Sequence, residues 1–363
     1  MHARVILAAA VLSALTTACG TVLTDALSGG AAGSRRPIDT TAGHGISLPW
    51  GADNEPTWSP DASQIIYTTR DDSGFTTYRA FTVSTGTSRV LDRERTCIDW
   101  ISPSVSPTHV YMLVAGGDSL SPVPCRLYRV SLDGQPPEFL LDSVIDAYPS
   151  PDGVHVIYTP GSHVIYSPVS VDTGSTPELW VYDVTTRSRM RIGVSDGGVV
   201  QFSPDGARAL LRAGSEWMIV TLADGALEPL SLGLAPGDSP SAVTWGPDGI
   251  RVFFGRTRGP MSAPITDYYV QQVGGGEAHQ FYTEDFDGLA TDFSWSRDGK
   301  TLAFYVADWR GHCAIYAVDV ATGEESWVAG TNIDFELGME LSPENRWILY
   351  RFSDGWYVSP VPL

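Results

Sequence analysis

The sequence predicts an all-β fold, a seven-bladed β-propeller of four-stranded antiparallel blades closed by pairing N- and C-terminal strands, and three observations predict it. A Ser-Pro-Asp-Gly-type segment occurs seven times, each copy is followed by an apolar run, and the copies recur at a nearly constant interval. The fullest copy is Phe293-Ser294-Trp295-Ser296-Arg297-Asp298-Gly299-Lys300, followed by Thr301-Leu302-Ala303-Phe304. The others centre on Ser59, Ser106, Ser150, Ser203, Gly246 and Ser342, so the markers lie 47, 44, 53, 43, 50 and 46 residues apart. Seven copies at such a period indicate propeller blades or a similar array.

The motif has the chemistry of a tight turn between two strands. Pro presets the backbone for the second turn position, Asp bonds back to its own backbone, and Gly accepts a positive φ at the end. The runs that follow, such as Gln64-Ile65-Ile66-Tyr67, Arg251-Val252-Phe253-Phe254 and Trp347-Ile348-Leu349-Tyr350, are β-branched and aromatic, as buried strands require.

Each repeat reads as four strands, A to D. In the first, A covers about 55–59, B 64–69, C 77–83 and D 87–91. The C strands alternate most clearly, as in Leu179-Trp180-Val181-Tyr182 and Ala314-Ile315-Tyr316-Ala317. Between C and D a second turn recurs, Ser84-Thr85-Gly86, Leu132-Asp133-Gly134, Ala223-Asp224-Gly225, Gly274-Gly275-Gly276 and Ala321-Thr322-Gly323, which suits hairpins. The seventh repeat stops one strand short, and His44 to Trp50 is placed to supply its outer strand, which removes a free sheet edge. Residues 44–363 therefore form the propeller.

Ahead of it, residues 1–18 carry Arg4, the apolar run Val5 to Leu15 and then small residues, the pattern of a secretory signal peptide. Leu15-Thr16-Thr17-Ala18-Cys19 is similar to a bacterial lipobox, in which Cys19 becomes the lipidated first residue; a plain signal peptide cut nearby is the other reading. Residues 19–43 form a tether rich in Gly, Ala, Ser and Thr. The expected location is exported and membrane-anchored, facing the periplasm or the cell surface. In such an oxidising compartment Cys97 and Cys125 are candidates for a disulfide within the second repeat, and Cys313 for a buried free thiol. The formal net charge of −19, with a single Lys at Lys300, excludes a nucleic-acid partner.

The Trp-Ser-Pro-Asp-Gly turn, its apolar strand and an Ile-Tyr-x-Val-Asp-like strand ending in Thr-Gly resemble the WD40-like repeat of TolB-type β-propellers, over about 310 residues. The resemblance implies the propeller and membership of the broader family. Residues 20–54 are too few for the N-terminal α/β domain of the translocation protein, and no Gly-x-Ser-x-Gly elbow or trailing domain of a peptidase is present.

Antiparallel order puts the A-to-B and C-to-D turns on one face and the irregular B-to-C and D-to-A segments on the other, where binding is expected. The candidate binding residues are Asp308, Trp309, Arg310 and His312 in the sixth repeat, Arg256 and Arg258 in the fifth, and His163 and Tyr166 in the long insert of the third. Cations are scarce in this chain, and Arg beside Trp suits carboxylate or aromatic recognition; pairing of these Arg residues with nearby Asp on a solvated rim is the alternative. Asp53, Asp99, Asp146, Asp196, Asp238, Asp292 and Asp334 precede A strands and suit a hard cation such as calcium if they converge, and solvated loop acids if they do not. No two His residues have the spacing of a metal motif, so no metal ligand or other cofactor is assigned. The functional expectation is a monomeric, non-catalytic binding scaffold for a protein or cell-envelope component. The alternative is a metal-dependent carbohydrate-active enzyme, a lyase or hydrolase with its site at the channel mouth, because the resemblance extends to sugar-acid lyases that use a His-bound metal.

Overall fold

The computed structural model describes residues 46–47, 56–59, 61–71, 73, 75–94, 104–106, 108–115, 125–161, 178–194, 200–213, 216–234, 240–258, 265–284, 289–296, 298–307, 312–331, 335–342, 346–352 and 355–361. The chain groups into two compact units, Asp53–Pro229, and Leu230–Leu363 together with the N-terminal strand β1 (Ile46–Ser47). No helix of the described residues is long and apolar enough to cross a membrane.

In the first unit, β2 (Thr57–Trp58), β3 (Gln64–Arg70), β4 (Thr76–Thr82) and β5 (Thr87–Glu94) form one antiparallel sheet in chain order. A seven-stranded sheet follows, made of β6 (Ser104–Val105), β7 (His109–Ala115), β8 (Cys125–Ser131), β9 (Glu138–Pro149), β10 (His155–Pro160), β11 (Glu178–Asp183) and β12 (Arg189–Val194). The unit ends with β13 (Val200–Phe202), β14 (Arg208–Ala213), β15 (Glu216–Thr221) and β16 (Leu227–Pro229). The second unit has β17 (Pro240–Trp245), β18 (Arg251–Arg258), β19 (Ile265–Gln272) and β20 (His279–Glu284), then β21 (Leu289–Trp295), β22 (Thr301–Ala307), β23 (Cys313–Asp319) and β24 (Glu325–Thr331). Its last sheet is β25 (Phe335–Leu341), β26 (Trp347–Phe352) and β27 (Gly355–Pro360), with β1 on the outside. There Ile46 pairs with Val358 and Ser47 with Tyr357, the pairing of terminal strands expected from His44 to Trp50.

The fold is an all-β propeller of antiparallel blades, but its described strands form six sheets, five of four strands and one of seven, so six blades replace the seven expected. The cause is β9. Its first part pairs with β8 and its second with β10, and Val144 is the register partner of both Cys125 and Pro160. No Gly or Pro interrupts Glu138 to Tyr148, so the outer strand of the second repeat runs straight into the inner strand of the third. The change of course falls at Ser143, whose φ of 55° is a left-handed conformation unusual for a residue with a side chain.

The strands are buried on both faces, and a period of two sorts their side chains between neighbouring sheets. In β22 and β23, Ala303, Tyr305, Cys313, Ile315 and Ala317 join Met339, Leu341, Ile348 and Tyr350 of the β25–β27 sheet. The alternate residues Phe304, Val306, Ala314, Tyr316 and Val318 pack with Phe281 and Tyr282 of β20. In the first unit Ile157 of β10 packs with Ala209 and Leu211 of β14, while Val156 and Tyr158 turn to the other side.

The A-to-B turns are held by a buried hydroxyl. Ser106, Ser150, Ser203, Ser296 and Ser342 are each 0 % exposed, and Ser59 is 3 % exposed. Ser203 Oγ donates to Asp205 Oδ1 (2.5 Å) and accepts the Arg208 N–H (2.9 Å), while Asp205 Oδ1 also accepts the Ala207 N–H (3.1 Å). The same set recurs at Ser59 with Asp61 and Gln64, and at Ser296 with Asp298 and Thr301. Where Gly246 replaces Ser, Asp248 Oδ1 takes over the Arg251 N–H (3.0 Å), and the Arg251 Nε donates to Oδ2 (2.5 Å).

The turn glycines meet a second demand. Gly206 has a φ of +71°, and a Cβ on it would lie 2.5 Å from the Asp152 carboxyl carbon of the preceding motif turn. Gly299 stands in the same relation to Pro247 Cγ (2.9 Å), so successive turns nest. Gly86, at +66° in a C-to-D turn, has open space instead. Gly86→Ala should therefore cost about 1–2 kcal/mol, the left-handed penalty alone, and Gly206→Ala at least about 1 kcal/mol more, because Asp152 must leave its hydrogen bonds. Chemical denaturation of the two variants checks this, and equal losses would argue against nesting.

Candidate functional site

The end of the β17–β20 sheet away from the motif turns gathers the candidate cations of the fifth repeat around a buried carboxylate. Arg256 and Arg258 are two apart on β18 and so share a face, and Arg256 is the register partner of Asp267 on β19. The Asp267 side chain is only 7 % exposed, whereas that of Arg258 is 54 % exposed. Arg258 Nε and Nη2 donate to Asp267 Oδ2 and Oδ1 at 2.6 and 3.3 Å. Thr283 Oγ1 (2.8 Å) and Gln280 Nε2 (3.3 Å) also donate to Oδ1, and Gln280 Nε2 reaches Thr283 Oγ1 at 2.8 Å. Burial pushes the Asp267 carboxyl up, but the donors Arg258 and Thr283 and the two guanidinium charges outweigh it and hold it below the ordinary carboxylate range. For Arg258 the structure thus gives a fixed ion pair, which leaves one edge of its planar fork towards solvent.

Of the other expected binding residues, His312 directly precedes β23. Asp308, Trp309, Arg310, His163 and Tyr166 lie outside the described residues, as do Cys19 and Cys97. Cys125, 3 % exposed, is disulfide-bonded. Cys313 is a free thiol, 0 % exposed, in the core between β23 and the last sheet. His155 and His279 open β10 and β20, as expected, and His109 Nδ1 lies 2.7 Å from Thr108 Oγ1. Among the described residues no three His, Cys, Asp or Glu side chains are grouped to hold a metal ion. Asp146, from the series considered for calcium, accepts the Ala147 N–H at 2.9 Å and the Tyr148 hydroxyl at 2.5 Å, and burial with the Asp146 charge pushes that hydroxyl well above its ordinary range.

Sequence reasoning missed Asp267, Gln280 and Thr283. The available signal was an Asp inside the apolar strand Ile265–Gln272, a position that calls for a partner once the strand is buried. It also used the motif Ser only as a marker, although a Ser at every blade turn signals a hydroxyl with a fixed task.

The remaining shifted carboxylates are turn anchors. The Ser203 hydroxyl holds Asp205 low, the Ser59 hydroxyl does so for Asp61, and backbone N–H groups of Thr186 and Thr322 do so for Asp183 and Asp319. A folded-state value below the unfolded one contributes stability that is complete above the unfolded value and is lost as pH falls through the folded one. Melting temperature should therefore hold level on these groups' account from pH 7 to about 5 and fall steeply below about pH 4. An Asp205→Asn, Asp267→Asn variant should show a shallower acid fall in the same scan, and an identical fall would contradict the assignment.

No family model matches the sequence, and no curated protein matches it. Among solved structures, the chain is similar to an oligogalacturonate lyase in complex with manganese, with a TM-score of 0.67, 14 % identity, and coverage of 92 % of this chain and 99 % of the other. It is also similar to an oligogalacturonate lyase from Vibrio parahaemolyticus, with a TM-score of 0.63, 12 % identity, and coverage of 88 % and 90 %. TolB from Acinetobacter baumannii aligns with a TM-score of 0.44 and 17 % identity over 81 % of this chain and 78 % of that one, which carries no argument beyond the comparison itself. At these identities the likeness shows the propeller fold alone.

Proposed function

We propose that the chain is an exported lipoprotein, anchored through Cys19, whose propeller is a non-catalytic binding scaffold for a protein or cell-envelope component. The observation that carries the reading is the use of the repeated polar groups: shifted carboxylates tend to mark functional sites, yet those described here at Asp61, Asp205, Asp183 and Asp319 are occupied in building turns. The scaffold is regular and internally satisfied, and the variable segments between its sheets are free to specify a partner. A disulfide at Cys125 supports an oxidising compartment, and Cys97 is its proposed partner.

The contact surface of this reading is the segment carrying Asp308, Trp309, Arg310 and His312, with Arg256, Arg258, His163 and Tyr166 as further contributors. Trp and Arg are the side chains that most often dominate a protein interface. Photo-crosslinking of the full chain in cells, followed by quantitative capture, tests it. Trp309→Ala, Arg310→Ala should reduce the captured partner about tenfold or more at an unchanged melting temperature, while Cys19→Ala should move the protein out of the membrane fraction. Undiminished capture by the double variant would remove this surface from the account. Non-reducing peptide mapping of the same protein is expected to recover a Cys97–Cys125 linked peptide.

A further inference from the structure

Where the β17–β20 and β21–β24 sheets of the second unit meet at their motif-turn ends, a cleft of 450 Å³ opens that the loop-borne partner does not use. Its polar walls differ in charge along its length. At one end stands Arg251, the first residue of β18. Its Nη2 lies 3.5 Å from where a Cβ of Gly299 would be, so the guanidinium leans onto the next sheet's turn, beside Lys300. Lys300 is the only lysine of a chain with a formal charge of −19, and its ammonium is held only loosely, 3.8 Å from Asp298 Oδ2 and 77 % exposed. At the other end is Glu277, exposed, two residues before β20 begins at His279. Arg251 is in register with Gln272 on β19, and β20 is the next strand out, so two strand spacings, about 10 Å, separate the cationic end from the acidic one.

The floor between these ends is made by Val270, Val320 and Gln271. Gln271 is 3 % exposed, and its Nε2 donates to the Ser231 carbonyl at 3.0 Å, which fixes the amide. Its Oε1 is buried without a donor among the described residues. Such an orphaned acceptor is unfavourable, and an N–H laid along the floor is the group that answers it.

We propose that this cleft binds a short peptide with both termini free, lying extended across the ends of β18, β19 and β20. The carboxylate sits at Arg251 and Lys300, the ammonium at Glu277, and the backbone N–H groups run over Gln271. Three extended residues span about 10 Å, which matches the separation of the charged ends. Small apolar side chains fit against Val270 and Val320.

Calorimetric titration of the full-length protein with trialanine, N-acetyl-trialanine and trialanine amide tests the proposal, using Glu277→Gln and Lys300→Gln, both exposed positions whose variants should melt as the parent does. Each cap should weaken binding about threefold to fivefold. The effect of N-acetylation should vanish in Glu277→Gln and that of amidation in Lys300→Gln. Failure of trialanine to bind, or capping losses that persist undiminished in the matching variants, overturns the proposal. Either result is read without reference to the loop-borne partner, so the two readings fail separately.

Discussion

The structure depends on one hydroxyl per motif turn, placed between a carboxylate and a backbone N–H. Ser203 Oγ, fully buried, gives its proton to Asp205 and takes the Arg208 N–H, so three turn groups that would otherwise be buried unpaired are satisfied at once. That arrangement fixes where β13 ends and β14 begins, and with it the register that sends Ala209 and Leu211 into the core shared with Ile157 of β10. A turn that slipped by one residue would invert every side chain of the strand after it. Gly246 shows that the demand is for the acceptor and not for the Ser itself, because Asp248 then receives the Arg251 N–H directly.

Turn and packing are coupled a second time through the glycines. Gly206 accepts the Asp152 carboxyl and Gly299 accepts the ring of Pro247 at distances no side chain allows. The motif thus specifies the strand pair and also the approach of one sheet's turn to the next. Strands such as β22, buried on both faces, follow from this, since each sheet has a neighbour on either side to receive alternate side chains.

Much of the scaffold was legible because its signals are local. The predicted 64–69, 77–83 and 87–91 strands are β3, β4 and β5 to within a few residues, and Gly86, Gly134, Gly225, Gly275 and Gly323 all take the positive φ their turns require. The blade count was not legible, because it depends on whether Glu138 to Pro149 breaks, and Ser143 turns the chain without the Gly or Pro that announces such a bend. The ion pair of Arg258 with Asp267 was equally hidden. It is set by the β18–β19 register across the intervening loop, and sequence spacing does not report that register.

Two kinds of polar residue therefore coexist in this acidic chain. Those of the repeats are spent on turns, and those of the irregular segments carry the proposed recognition. The division rests on the Ser and Asp of each turn acting as one unit, and a double-mutant cycle at Ser203→Ala and Asp205→Ala measures it most directly. The account predicts that either change alone destabilises by about 1–3 kcal/mol and that the pair together costs about 1 kcal/mol less than the sum. Additive losses, with a coupling below about 0.3 kcal/mol, would contradict it.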